Sequence, residues 1–198
     1  MHGTHAIALE CNHYPLLRLL TLVMTIHVFL DTEFTALAES ASLISIGLIT
    51  AEGDRSFYAE LSDTYTHKEC SDFVLQEVLP LLDAKRITDP INYKHVYARM
   101  TLAETSLHLN YWFAALIDPV QVWSDAPNYD WRYIQQIFSA TGLPYNLLAT
   151  PNAILGEDTS ANASYQNTVE REYSQKALRR HHALDDAKAM RLGWLAVY

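Results

Sequence analysis

Near the front of this chain, Phe29-Leu30-Asp31-Thr32-Glu33-Phe34 sets two carboxylates two residues apart at the end of an apolar run. Near the back, His181-His182-Ala183-Leu184-Asp185-Asp186-Ala187 sets a histidine five residues before an aspartate. Between them, Trp123-Ser124-Asp125-Ala126-Pro127-Asn128-Tyr129-Asp130-Trp131 carries two more aspartates. Residues i and i+2 of a strand share a face, so Asp31 and Glu33 can reach one cation. Mg²⁺ and Mn²⁺ prefer such hard oxygen donors and keep positions open for water and phosphate. A histidine, with an unperturbed pKa of about 6.5, suits general-base work near neutrality. Together these are the parts needed to set a water against a phosphodiester.

Each string has a plainer reading when taken alone. An Asp-x-Glu pair is a common strand end. Asp125 reads equally as a turn or capping residue. Asp130 reads as a first-turn acid, although a helix N-terminus also favours its ionised form. On one continuous helix His181 and Asp186 would lie roughly 140° apart. They can share a site only if His181 sits on the loop before a helix and Asp186 in its first turns. The plain alternative is a surface histidine pair beside solvated aspartates. Six of the fourteen Lys and Arg residues fall between Arg171 and Arg191, around that string. They read either as a phosphate-contacting rim or as a helix face balancing Glu170 and Glu172.

Stepping out from these residues, Ile26 to Asp31 reads as a buried strand. Ser42 to Thr50 and Arg55 to Leu61 read as the second and third strands, joined by the turn Ala51-Glu52-Gly53-Asp54. Three strands in succession predict an antiparallel meander. Helices are predicted over Ser71 to Leu82, Thr101 to Leu116, Asn128 to Ala140 and about Leu184 to Leu195. A fourth strand is predicted over Pro119 to Trp123 and a short fifth over Leu143 to Leu148. Thr150 to Gln166 is mostly polar and reads as a loop. This order predicts one α/β domain on a mixed sheet.

The chain has 198 residues, enough for one sizeable core. Its formal net charge of −9 argues against a protein that coats long nucleic acid electrostatically. It does not exclude an enzyme that grips a short end through metal ions. Two cysteines, Cys11 and Cys70, suggest a reducing cytoplasm rather than a disulfide scaffold, and neither forms a CxxC pair. The apolar stretch Leu16 to Met24 is interrupted by Arg18 and too short to span a membrane. Residues 1–23 read as a dispensable extension ahead of a domain covering 24–198.

The three strings together resemble the three motifs of the DEDDh 3′–5′ exonuclease superfamily, and most of all its bacterial and phage exoribonuclease-like branch. The stretch Ile44-Ser45-Ile46-Gly47 resembles that family's second strand. The resemblance spans roughly residues 26–195. It implies an RNase H-like fold: a mixed sheet of about five strands, the first three antiparallel, flanked by helices. It implies Asp31, Glu33, Asp130 and Asp186 as ligands of two Mg²⁺ or Mn²⁺ ions, with His181 as general base. Asp125 stands where relatives often carry Asn, and Asp130 is preferred because an aromatic residue precedes it. The five-residue offset to Asp186 favours His181 over His182. Phe34 and Thr35 stand where terminal-nucleotide contacts are expected; Phe34 can stack on a base or pack in the core. The implied activity is hydrolysis of single-stranded nucleic acid from its 3′ end to nucleoside 5′-monophosphates, with RNA favoured over DNA. A homodimer is implied as well. A DNA-directed exonuclease and a non-catalytic nucleic-acid-binding domain are the alternatives.

Overall fold

The first strand, β1 (Ile26–Phe34), is the spine of the molecule. Its side chains alternate, as the pleat requires. Val28 and Leu30 enter one core and Phe29 enters another on the opposite face. The computed structural model describes residues 24–86 and 92–198; the expected extension 1–23 lies outside them. β2 (Leu43–Thr50) pairs antiparallel with β1, and β3 (Ser56–Leu61) antiparallel with β2. The predicted meander is therefore present. β4 (His95–Met100) lies parallel to β3, β5 (Val120–Ser124) parallel to β1, and β6 (Asn152–Ala153) parallel to β5. The order across the sheet is β4-β3-β2-β1-β5-β6, and only β2 runs against the rest.

Helices cover both faces of this mixed sheet. On one face, α1 (Leu102–Ala114) brings Leu109, Trp112 and Phe113, and α2 (Pro127–Ile137) brings Trp131, Ile134 and Ile137. They bury Val28, Leu30, Ile46, Leu48 and Phe57 of the sheet. A fully buried side chain of this kind contributes about 1.5–3 kcal/mol. Thr101 caps α1: its hydroxyl accepts from Glu104 N–H at 3.2 Å while the Glu104 carboxylate accepts from Thr101 N–H at 2.8 Å. On the other face, α3 (Thr159–Ser174) and α4 (Ala183–Leu195) place Tyr165, Ala187 and Met190 against Phe29 and Ile49.

Four expectations need correction. The sheet has six strands: β4 and β6 are additional to the expected set, and one expected strand is missing. Val96, Ala98 and Met100 are buried while His95, Tyr97 and Arg99 are exposed, the alternation of an edge strand. Leu143 to Leu148 is not a strand; it makes a single bridge, Leu147 to Val120. Thr150 to Gln166 is not simply a loop, since it holds β6 and the first half of α3. That helix starts at Asp158, whose carboxylate accepts from Ser160 and Ala161 N–H at 2.9 and 3.1 Å. Ser71 to Leu82 is helical as expected but not a regular α-helix, with wide turns over Val74–Val78 and a tight turn over Leu79–Leu81 at Pro80.

Candidate active site

Alternation along β1 sorts its polar end. Asp31 and Glu33 share the face of Phe29, towards α4, and Thr32 shares the face of Leu30, towards α2. Pairing with β2 shifts register between Glu33 and Phe34, from Ser45 to Leu43, so a bulge at Ile44 distorts the ladder beside the two acids. Pro127 opens α2 and Asp130 stands in its first turn. Asp130 is 2% exposed and held at both oxygens. Thr32 Oγ1 donates to Oδ1 at 2.6 Å, and Ser124 Oγ donates to Oδ2. Ser124 Oγ in turn accepts from Ala126 N–H at 2.9 Å.

The third string folds as its spacing requires. His182 is the N-cap of α4, and its side chain accepts from Asp185 N–H. His181 precedes it with φ of 64°, a left-handed conformation that costs a β-carbon-bearing residue about 1 kcal/mol or more. That turn sets His181 beside Asp186 instead of continuing the helix. Asp186 is fixed from two sides: His181 N–H donates to Oδ2 at 2.9 Å and the Tyr173 hydroxyl donates to Oδ1. The edge of Phe73 meets the His181 ring, 4.9 Å between centroids.

Two donor groups result. Ligand atoms of Glu33, His181 and Asp186 lie within 4.8 Å of one another, and so do those of Asp31, Asp125 and Asp130. All of these but Asp125 border a cavity of about 560 Å³ whose apolar wall includes Phe34, Leu37, Phe73 and Tyr129. A second cavity of about 280 Å³ shares Asp31, His181 and Asp186 with the first. It extends past Asp125 to Tyr165, Gln166, Tyr173 and Arg180.

Crowding raises the carboxyl pKa values. Burial, then the neighbouring Asp186 and Asp130, pushes Glu33 up to about 8. Burial pushes Asp130 and Asp186 up to about 7, although hydroxyl and amide donors oppose it. Asp31 rises for the same reasons, with burial first and Asp186 next. Carboxylates that repel one another when ionised suit a divalent cation, which would offset both the burial and the repulsion penalty. These clusters can hold a metal ion. A raised folded-state pKa adds stability below the unfolded value and loses it as pH climbs through the folded one. Metal-free protein should therefore lose stability between about pH 4 and pH 8, the span from ordinary carboxylates to Glu33. A divalent cation at about 100 times its Kd should add about 2.7 kcal/mol and flatten that decline. Thermal melts across this range, with EDTA or Mn²⁺, measure both effects.

Asp31, Glu33, Asp130, His181 and Asp186 all line the larger cavity, as does Phe34. Phe34 stacks on Tyr129 and Tyr133, with ring centroids 6.1 and 5.6 Å away. Thr35 lines neither cavity. It is 2% exposed, and its hydroxyl accepts from Ser42 N–H at 3.0 Å, closing the loop that returns to β2. His182 is buried against Tyr58, with ring centroids 4.4 Å apart, and Asp185 is tied to Arg179 and Lys188 at 2.6 and 2.9 Å. Both brace α4. Asp125, set second to Asp130, lies exposed at the rim within reach of both Asp31 and Asp130. Thr32, Ser124 and Tyr173 went unanticipated. Only Thr32, between the first two acids, carried a positional signal. No protein-family model matches this sequence, and no curated protein does.

Proposed function

We propose that this protein is a metal-dependent 3′–5′ exonuclease that releases nucleoside 5′-monophosphates from single-stranded nucleic acid, with RNA the favoured substrate. One observation carries the reading: acids and a histidine from three distant strings line one cavity. The sheet supports it, being mixed with its first three strands antiparallel, as the RNase H-like resemblance implies. The DEDDh resemblance supplies the 3′ polarity. Glu33 and Asp186 would hold one Mg²⁺ or Mn²⁺, and Asp31 with Asp130 a second, with Asp125 in reach. When bound, the ions would neutralise the scissile phosphate and stabilise the leaving 3′ oxygen.

The protein's own groups do the rest. Burial, and Arg180 next to it, lower the His181 pKa, so the ring is neutral at pH 7 and can take the proton of an attacking water. Phe73 restrains that ring. Thr32 and Ser124 keep Asp130 in one rotamer, and Tyr173 does the same for Asp186. The wall of Phe34, Leu37 and Tyr129 offers a terminal base a stacking surface. We place this activity in a reducing cytoplasm, consistent with the free thiol of Cys70. Among the described residues no helix is long and apolar enough to cross a membrane.

Digestion of 5′-labelled single-stranded RNA and DNA of equal sequence, with Mg²⁺ or Mn²⁺, tests the proposal. A ladder shortening from the 3′ end is expected, faster on RNA. Equal or faster DNA cleavage would reassign the substrate, and no cleavage with intact metal binding would favour a binding module. His181→Ala should lower turnover by about 10²–10⁴-fold with cation affinity retained. Lost affinity in calorimetry would instead move His181 into the ligand set.

A further inference from the structure

The basic run from Arg171 to Arg191 divides sharply in the folded chain. Arg179 bonds Asp185 and Asp83 at 2.6 and 3.2 Å, and Lys188 bonds Asp185 at 2.9 Å. Arg191 donates to the Ala51 carbonyl at 2.6 Å. Arg171 turns to its neighbour Glu172 at 3.2 Å. None of these four lines either cavity. Among the described residues lining the two cavities, Arg180 is the single Lys or Arg.

Its geometry is that of a side chain held in waiting. The guanidinium lies over the Tyr173 ring, 4.5 Å from the centroid, and one nitrogen donates to both Glu170 oxygens at 2.7 and 2.8 Å. The pair is open to water, with 48% and 64% of the two side chains exposed, so it is weak and readily exchanged. Tyr173 also holds Asp186, so one ring positions a candidate metal ligand and the cation beside it.

We propose that Arg180 is the substrate's phosphate clamp: it leaves Glu170 to fork a phosphate next to the scissile one, and Glu170 is its competing latch. This rests on the nuclease reading above. Metal ions would serve the reacting phosphate, whereas the flanking one must enter a site walled by Asp31, Asp125 and Asp186. A polyanion needs a fixed cation there, and a guanidinium matches two phosphate oxygens at once.

The test is steady-state kinetics on a 5′-labelled single-stranded oligonucleotide with Mn²⁺ at several KCl concentrations. Arg180→Ala should raise KM about tenfold or more, a larger factor than any change in kcat through its neighbour His181. It should also reduce the log KM against log salt slope by about 0.7, one phosphate contact. Arg180→Lys should keep the slope but not the full affinity, because it keeps the charge and loses the fork. Glu170→Gln should lower KM at low salt by freeing the clamp. Arg171→Ala, a nearby cation outside both cavities, should change neither quantity. An active wild type whose KM and slope survive Arg180→Ala, or respond equally to Arg171→Ala, overturns the assignment alone. A wild type inactive on both RNA and DNA overturns the nuclease reading and the clamp with it.

Discussion

Asp31→Asn is expected to abolish hydrolysis and, in the same molecule, to raise the melting temperature of the metal-free protein. Asp31 belongs to one donor group with Asp125 and Asp130, and Asp186 and Glu33 act on it as well. Removing its charge should cost at least about a thousandfold in rate, about 4 kcal/mol of transition-state stabilisation. The same charge is a burden without a cation, because burial and the neighbouring acids oppose its ionisation. Asparagine keeps the shape and drops the charge. At pH 8 the variant should melt measurably higher than wild type when stripped of metal. At pH 4–5 the wild-type carboxyls are protonated and the gain should vanish. With Mn²⁺ the order should invert, because only the wild type retains the full ligand set. Melts of both proteins at two pH values, with and without metal, decide this. A variant no more stable than wild type at pH 8 without metal would show that the carboxylates are not in conflict.

Physical reasons separate what could be read in the sequence from what could not. The meander was readable because β1, β2 and β3 are short apolar runs and Gly53, with φ of 77°, makes the turn between the last two. α3 was hidden because it is polar nearly throughout and buries only Tyr165. It is a helix through its Asp158 cap and its packing on α4, and neither leaves an apolar period to detect. β4 was hidden for a related reason: an edge strand exposes every second residue, so His95, Tyr97 and Arg99 dilute its signal. At the site, Asp31, Glu33, Asp130, His181 and Asp186 could be named because acids and histidines at set offsets are informative. The hydroxyls that fix them could not. Thr32 and Asp130 are separated by 98 residues, and no spacing links a serine or tyrosine to a carboxylate on another element. Thr35 turns inward past the bulge after Glu33, which its place after the first acids did not reveal.

Among the described glycines, Gly47→Ala should be the most damaging substitution. Gly47 pairs with Asp31 across β1 and with Tyr58 across β3, so it opens the sheet face on which the acids stand. The start of α4 fills that opening. A β-carbon at Gly47 would lie 2.3 Å from the Ala183 carbonyl carbon and from Leu184 N, and both are backbone atoms. No rotamer change relieves such a contact, so α4 must move by roughly 1–1.5 Å to reach ordinary packing distance. The displaced segment is the turn carrying His181, the His182 cap stacked on Tyr58, and Asp186. A shift of about that size at reacting groups can cost about 10²-fold in rate, and overpacking here should cost about 1–3 kcal/mol. Gly193→Ala is the informative companion. Its β-carbon would meet Tyr165 side-chain carbons at 2.5 Å, on the same helix but away from its N-terminal turn. It should lower the melting temperature while leaving a larger share of cation affinity intact. If both variants lose stability but Gly47→Ala alone loses cation binding, the seat of α4 on β2 is what brings His181 and Asp186 to Asp31 and Glu33. Equal cation affinity in the two would place that control elsewhere in the fold.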